Sequence, residues 1–498
     1  MDSTIPGVLT VAASTRGHHA AYVAGETVVS FADLLAWVRE TARGYCALGL
    51  QPGDRVCVWA PNSIEWVVSA LAATYAGGVL VPVNSRYTAS EAADIVERTS
   101  ATVVVVDDGF LGRTQIADLR AASSLASVRD VVDINHLDRL ADLPTDIDVD
   151  ARARAVSPDD VADILFTSGT TGRSKGAMST HRQTVGVADV WGRLGGVSAA
   201  DRYLVVNPFF HSFGYKVGIV TGLLTGATLY PMATFDVDAV ARVVETARIT
   251  VLPGAPTIFS SLLAADAHRT RDLSSLRLAV TGAAVVPVVL IERMRTELAI
   301  DQVVTAFGMT EAVVATMCRG DEPADVVATT CGRAVSGMEV RIGDQGEVLL
   351  RGHYVMKGYL DDPEATAEAI DADGWLHTGD VGTLDDAGNL RITDRLKDMY
   401  ISGGFNVYPA EVEQVLSRME GVADVAVAGV PDERLGEVGK AWVVTDRTEH
   451  GLTTDDVIAF ARQHLANFKV PRQVELVDAL PRNPSGKVLK TELRGRTP

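Results

Sequence analysis

Asp163-Ile-Leu-Phe-Thr-Ser-Gly-Thr-Thr-Gly-Arg-Ser-Lys-Gly176 places a short apolar run directly before a cluster of hydroxyls, glycines and one lysine. That is the order of a buried strand feeding an anion-binding loop. Gly169, Gly172 and Gly176 allow the backbone to turn its N–H groups toward an anion, Thr167, Ser168, Thr170 and Thr171 add donors, and Lys175 adds charge. A Walker loop needs four residues between its first glycine and a Gly-Lys pair, which this spacing lacks. A plain polar linker does not call for this ordered mixture after a strand.

Outward from the loop, apolar runs alternate with helical periodicity. On the N-terminal side, Ser30 to Asp33 opens a helix with Phe31, Leu34, Leu35 and Val38 at helical spacing. Strands follow at 55–60, 79–83 and 102–106, with a helix at 63–75. Beyond the loop, strands are expected at 203–206, 227–230, 249–252, 277–280 and 303–307, and helices at 215–224, 237–246 and 286–298. This alternation predicts an α/β fold with layered parallel sheets and ligands outside the carboxyl ends of the strands. After Thr330 the pattern changes to short strands around Gly343-Asp-Gln-Gly346, a small β unit. A large N-terminal domain is expected over 1–394 and a smaller α+β domain over 395–498, with a hinge near 395–398.

The 498-residue chain is 47% hydrophobic and 22% charged, which argues for large cores and against disorder. Its net charge of −19 opposes nonspecific binding of nucleic acid or anionic lipid, so a polyanionic ligand must meet local positive potential. Cys46, Cys57, Cys318 and Cys331 have no metal-ligand spacing, and there is neither a secretion signal nor an unbroken membrane-length apolar run. A cytoplasmic protein with reduced thiols is expected, and self-association stays open.

Thr167–Gly176, Phe307-Gly-Met-Thr-Glu311, Gly374-Trp-Leu-His-Thr-Gly-Asp380, Asp394-Arg-Leu-Lys-Asp398 and Pro481-Arg-Asn-Pro-Ser-Gly-Lys487 together resemble the core motifs of the adenylate-forming superfamily, in the expected order. That superfamily includes acyl-CoA synthetases, aryl-CoA ligases, luciferases and peptide-synthetase adenylation domains. The resemblance implies a ligase using ATP, Mg²⁺ and coenzyme A on a small carboxylic acid. It assigns Lys487 and Glu311 to catalysis, Glu311 and Thr167 to the metal, and Asp380 and Arg395 to the nucleotide. Gly282, Ala283, Ala284, Phe307, Gly308, Met309 and Thr310 would complete the nucleotide site with the loop. Lys397 would be the hinge residue, with a structural linker lysine as its alternative. Gly403, Gly404 and Phe405 would receive the CoA arm or simply form a turn. His211 would stand at the acyl carboxylate, against the alternative of a core histidine.

Within the superfamily, Asp201–Leu204, Asn207–His211, Phe213–Lys216, Ala279–Ala284 and Lys397–Ile401 with Gly403–Pro409 are similar to the actinobacterial CoA ligases of steroid catabolism. These act on the propanoate side chain of the fused C and D rings. Thr310–Cys318 departs from their Asn-Gly-containing form. Such an acid calls for a broad apolar cavity with a few donors, and His211, Phe213, Tyr215, Lys216, Val313 and Met317 are the candidate walls. Lys216 has an outward-facing lysine as its alternative. A medium-chain or alicyclic acid, transfer to a carrier protein, and a noncatalytic nucleotide-binding regulator are the competing readings.

Overall fold

In the computed structural model, residues 3–168, 174–282, 288–395, 400–407, 409–445, 452–481, 488 and 490–495 are described. The chain divides into two compact units. The larger comprises Met1–Ser85, Ala92–Phe166 and Gly176–Thr393, and the second Arg86–Glu91, Thr167–Lys175 and Asp394–Pro498.

Ser30 starts the helix Phe31–Ala47 with a capping box, in which its side chain accepts from Asp33 N and the Asp33 carboxylate accepts from the Ser30 backbone. Leu34, Leu35 and Val38 then fall on its buried face, as their spacing predicts. Ser63 likewise caps the helix Ile64–Tyr75, and Thr180 caps His181–Leu194.

A seven-stranded sheet runs in the order Gly358–Tyr359, Ser174–Thr180, Val161–Ser168, Val79–Pro82, Arg55–Trp59, Val103–Val106, Asp130–Asp133. Its pairings from Val161–Ser168 through Asp130–Asp133 are parallel. A nine-stranded sheet has a parallel centre of Ala20–Ala24, Thr228–Pro231, Arg202–Val205, Val251–Pro253, Leu278–Gly282 and Gln302–Met309. Antiparallel strands close both of its ends, a feature the βα alternation does not reveal. The valine-only strand Val103–Val106 is buried throughout, as a strand covered on both faces must be. One apolar cluster extends from Ile5 to Leu390. The small β unit is a four-stranded sheet whose first hairpin turns at Asp344–Gly346.

The segment expected to be a helix at 215–224 is π-helical over Phe213–Val220 and continues as a short α-helix over Thr221–Thr225. Periodicity cannot distinguish these two windings in so apolar a run.

The second unit has a sheet of Phe405–Val407, Tyr400–Ser402, Gly436–Thr445 and Val422–Asp432, with Gln473–Leu476 parallel to Gly436–Thr445. Side-chain alternation along the long hairpin gives it two cores. Val427, Ala441 and Val443 pack with Val412, Leu416, Val457 and Ala461, whereas Ala426, Ala428 and Trp442 pack with Leu493. No helix among the described residues is long and apolar enough to cross a membrane.

Candidate active site

In the larger unit, parallel strands Leu278–Gly282 and Gln302–Met309 run side by side, with Gly282 opposite Ala306. Their shared ends bring Gly282 beside Phe307, at the edge where α/β sheets receive ligands. Gln302–Met309 then turns sharply into Ala312–Met317, pairing Met309 with Ala312 and Phe307 with Thr316. Glycine is required at position 308, since a Cβ there would fall 1.9 Å from the Val313 carbonyl oxygen. The turn residues Thr310 and Glu311 follow; Thr310 is half-buried and Glu311 buried.

Glu311 is held at two points. Its carbonyl accepts from Met356 N at 2.7 Å, and its Oε1 accepts from the Tyr359 hydroxyl at 2.7 Å. Among the described residues no group of three or more His, Cys, Asp or Glu could hold a metal ion. One anchored carboxylate fits a hard cation that draws its remaining oxygens from phosphates and water.

Asp380 is buried beside a bulge between Glu347–Gly352 and Leu376–Leu384. The register moves from Glu347 opposite Val381 to Leu349 opposite His377. Gly379 takes the left-handed φ of +70° that this bulge demands. Glu347 fixes it from the partner strand, with Oε1 accepting from Gly379 N at 2.9 Å and Oε2 lying 2.9 Å from His377 Nδ1. Thr378 Oγ1 accepts from Asp380 N at 3.1 Å.

His211 lies in a loop fastened by Asn62, whose Oδ1 accepts from Phe209 N at 2.7 Å and whose Nδ2 donates to Asn207 O at 2.9 Å. The His211 ring is open to solvent, yet the protein mass around it disfavours the imidazolium and lowers its pKa. Nδ1 accepts from Phe213 N at 3.2 Å, so the neutral ring carries its proton on Nε2 and can donate from there. Phe213 packs edge-on against Trp191, with ring centroids 5.1 Å apart. Tyr215 packs against Trp66 and is fully buried, its hydroxyl without a hydrogen-bond partner among the described residues.

One alternative falls and one expectation changes. Lys216 does not face outward: it is 2% exposed, with Nζ 2.9 Å from Asp163 Oδ1 and donating to Ser179 Oγ at 2.7 Å. Thr184 donates to the other Asp163 oxygen at 2.6 Å, and burial pushes the Asp163 carboxyl up against the pull of Lys216. Gly176, read as a loop-turning glycine, lies within the strand Ser174–Thr180. Its missing side chain serves close packing, because a Cβ would meet Ile164 Cγ2 at 2.9 Å. Val313 and Met317 are buried in the large apolar cluster.

In the second unit, Thr167 Oγ1 donates to Lys175 O at 3.4 Å. Gly403 and Gly404, with φ of +57° and +83°, make the two-residue turn between Tyr400–Ser402 and Phe405–Val407. Both positions of such a turn require positive φ, which accounts for the glycine pair. Phe405 stacks on Phe468, centroids 4.5 Å apart. Gly169, Thr170, Thr171, Gly172, Ala283, Ala284, Lys397 and Lys487 lie outside the described residues, as do the side chains of Ser168 and Arg395. Sequence reading missed Asn62, Tyr359 and Glu347, whose signal is a contact with a residue remote in the chain.

The profile of the AMP-binding enzyme family matches residues 9–360, and that of the AMP-binding enzyme C-terminal domain matches residues 411–487. The chain is 57% identical to the 3-[(3aS,4S,7aS)-7a-methyl-1,5-dioxo-octahydro-1H-inden-4-yl]propanoyl:CoA ligase of Rhodococcus jostii (strain RHA1), covering 99% of this chain and 98% of that protein. It is 56% identical to the ligase of the same name from Mycobacterium tuberculosis (strain ATCC 25618 / H37Rv), with the same coverage. In three dimensions it is similar to the o-succinylbenzoate CoA synthetase MenE of Bacillus subtilis bound with a product analogue. There the TM-score is 0.89 at 26% identity, over 99% of this chain and 98% of that one.

Proposed function

Because the chain belongs to the AMP-binding enzyme family, we propose that it is an AMP-forming acid:CoA ligase whose acid is the bicyclic methylindanedione propanoate of steroid C/D-ring degradation. The observation that carries the reading is its near full-length similarity to two ligases named for that one propanoyl product.

A carboxylate oxygen of the acid attacks the α-phosphorus of ATP and the bond to pyrophosphate breaks, leaving an acyl-adenylate. The CoA thiol then loses its proton and attacks the acyl carbon, forming the C–S bond as the acyl C–O bond breaks, and AMP departs with that oxygen and the bonding electron pair. Both steps gather anions, so fixed donors and cations decide the rate. Glu311, held by Tyr359, is suited to the Mg²⁺ that accompanies ATP and, when bound, neutralises phosphate charge; Thr167 is the loop hydroxyl assigned to the same ion. Asp380 accepts the ribose hydroxyls, Phe307 offers an aromatic face to adenine, and Arg395 and Lys175 supply nucleotide contacts.

His211 acts as a neutral donor through Nε2 toward the acyl carboxylate. Adenylation needs no general base, since a carboxylic acid is already ionised at neutral pH. Lys487 provides charge for adenylation, Lys397 is the hinge, and Gly403–Phe405 meets the CoA arm. Phe213 and Tyr215 belong to the acyl wall, where a buried hydroxyl without a hydrogen-bond partner among the described residues suits a ring ketone. Lys216 serves that wall from behind, through its ion pair with Asp163. The four free cysteines accord with the cytoplasm, and the acidic charge with small-molecule rather than nucleic-acid partners.

A competitive panel of acids with ATP and CoA, read by mass spectrometry of the CoA products, tests reaction and substrate together. The bicyclic propanoyl-CoA should dominate. Equal or faster turnover of medium-chain or alicyclic acids would transfer the assignment to those substrates, and pyrophosphate release without any CoA product would favour a carrier protein as acceptor.

A further inference from the structure

The hydroxyl of Tyr359 is the one side-chain group that the structure places on the carboxylate of Glu311, at 2.7 Å from Oε1 among the described residues. Its position is built by several backbone links. Gly358 and Tyr359 pair with Met178 and Ala177 of the strand that leaves the phosphate loop. Lys357 N and Leu360 N donate to Met178 O and Gly176 O on either side, both at 2.8 Å. Tyr359 N donates to Thr366 Oγ1 at 2.9 Å, and a Cβ at Gly358, whose φ is +145°, would meet Thr366 Cγ2 at 2.9 Å. One residue before this segment, Met356 N holds the Glu311 carbonyl. Residues 356–360 thus fix both the backbone and the side chain of Glu311 from the edge of the other sheet.

We infer that Tyr359 is a positioning residue for the metal-binding carboxylate, committing Oε1 of Glu311 to a hydrogen bond so that Glu311 presents a single oxygen to the cation. The inference rests on the assignment of Glu311 to Mg²⁺. Single-oxygen ligation suits Mg²⁺, which keeps waters and a tight octahedron, better than Ca²⁺, which accepts two-oxygen carboxylate binding. Partners of this kind typically change metal affinity by about 10- to 100-fold when removed.

Tyr359→Phe deletes the hydroxyl and keeps the ring. The half-saturating Mg²⁺ concentration for pyrophosphate release should rise about tenfold. Mn²⁺ affinity of the enzyme–ATP complex, read by electron paramagnetic resonance, should weaken by a similar factor, and inhibition by Ca²⁺ should become stronger. Thioester formation from preformed acyl-adenylate and the melting temperature should match the wild type. Glu311→Gln is the reference: unaltered Mn²⁺ affinity in that variant removes Glu311 from the metal site and with it the underlying reading. Weakened affinity in Glu311→Gln alongside wild-type affinity in Tyr359→Phe overturns the role of Tyr359 alone. Loss of both half-reactions in Tyr359→Phe marks a general structural role and overturns it as well.

Discussion

Lys216 has both its charge and its stem buried, and its neighbours decide what that means. Its ammonium touches Asp163, which is 0% exposed, and Ser179, while Thr184 completes the Asp163 carboxylate. Taking two charges out of water costs nearly as much as their attraction returns, so such a pair fixes geometry more than it adds stability. Breaking it is a different matter, because one charge is then stranded. Lys216→Ala should lower unfolding stability by about 3–5 kcal/mol in urea titration, and the double replacement Asp163→Leu with Lys216→Met should recover much of that loss. A Lys216→Ala loss within about 1 kcal/mol of wild type would contradict a stranded carboxylate. Both residues stand out in the sequence, Asp163 at the head of the loop strand and Lys216 beside the histidine. Their partnership does not, because it is made by a helix packing on a strand far away in the chain.

At the scale of elements, the legible features are those with local causes. The capping box at Ser30, the buried valine strand at Val103–Val106 and the hairpin around Gly343–Gly346 follow from neighbouring residues. The π-helical winding of Phe213–Val220 does not, and neither does the bulge that aims Asp380. Gly374–Asp380 announces its carboxylate, but the residue that shapes the bulge, Glu347, sits on the opposite strand and carries no motif of its own. Glu347 binds both Gly379 N and the His377 ring, so its removal frees the backbone immediately before Asp380. With Asp380 as the proposed ribose acceptor, Glu347→Ala should weaken ATP binding about tenfold, close to 1.4 kcal/mol, and leave the affinity for the acid unchanged. Isothermal titration with a nonhydrolysable ATP analogue reads this directly. An unaltered dissociation constant would detach the bulge from nucleotide binding.

For the whole molecule, the distribution of cores separates two tasks. The larger unit owns the extended apolar cluster with Phe307, Glu311, Asp380 and His211 on its frame, whereas the second has its own two-faced sheet and its own packing. In the sequence, βα alternation stops near Thr330 and charged residues cluster at Asp394–Asp398. The sequence does not reveal that Arg86–Glu91 and Thr167–Lys175 group with the second unit, because that grouping depends on contacts rather than composition. Lys487 belongs to the C-terminal segment, and in the role proposed for it the reaction asks different things of it in each half. Adenylation brings a carboxylate against a triphosphate and needs an added cation as charge develops, whereas thiol attack on the finished adenylate expels AMP and needs none at that position. Lys487→Ala should therefore slow adenylation by about 10²–10³-fold while thioester formation from supplied acyl-adenylate keeps most of its rate. Stopped-flow measurement of each half-reaction separates the two. Equal losses in both halves would mean that Lys487 supports the fold or both chemistries, and the division of labour assigned to it would fail.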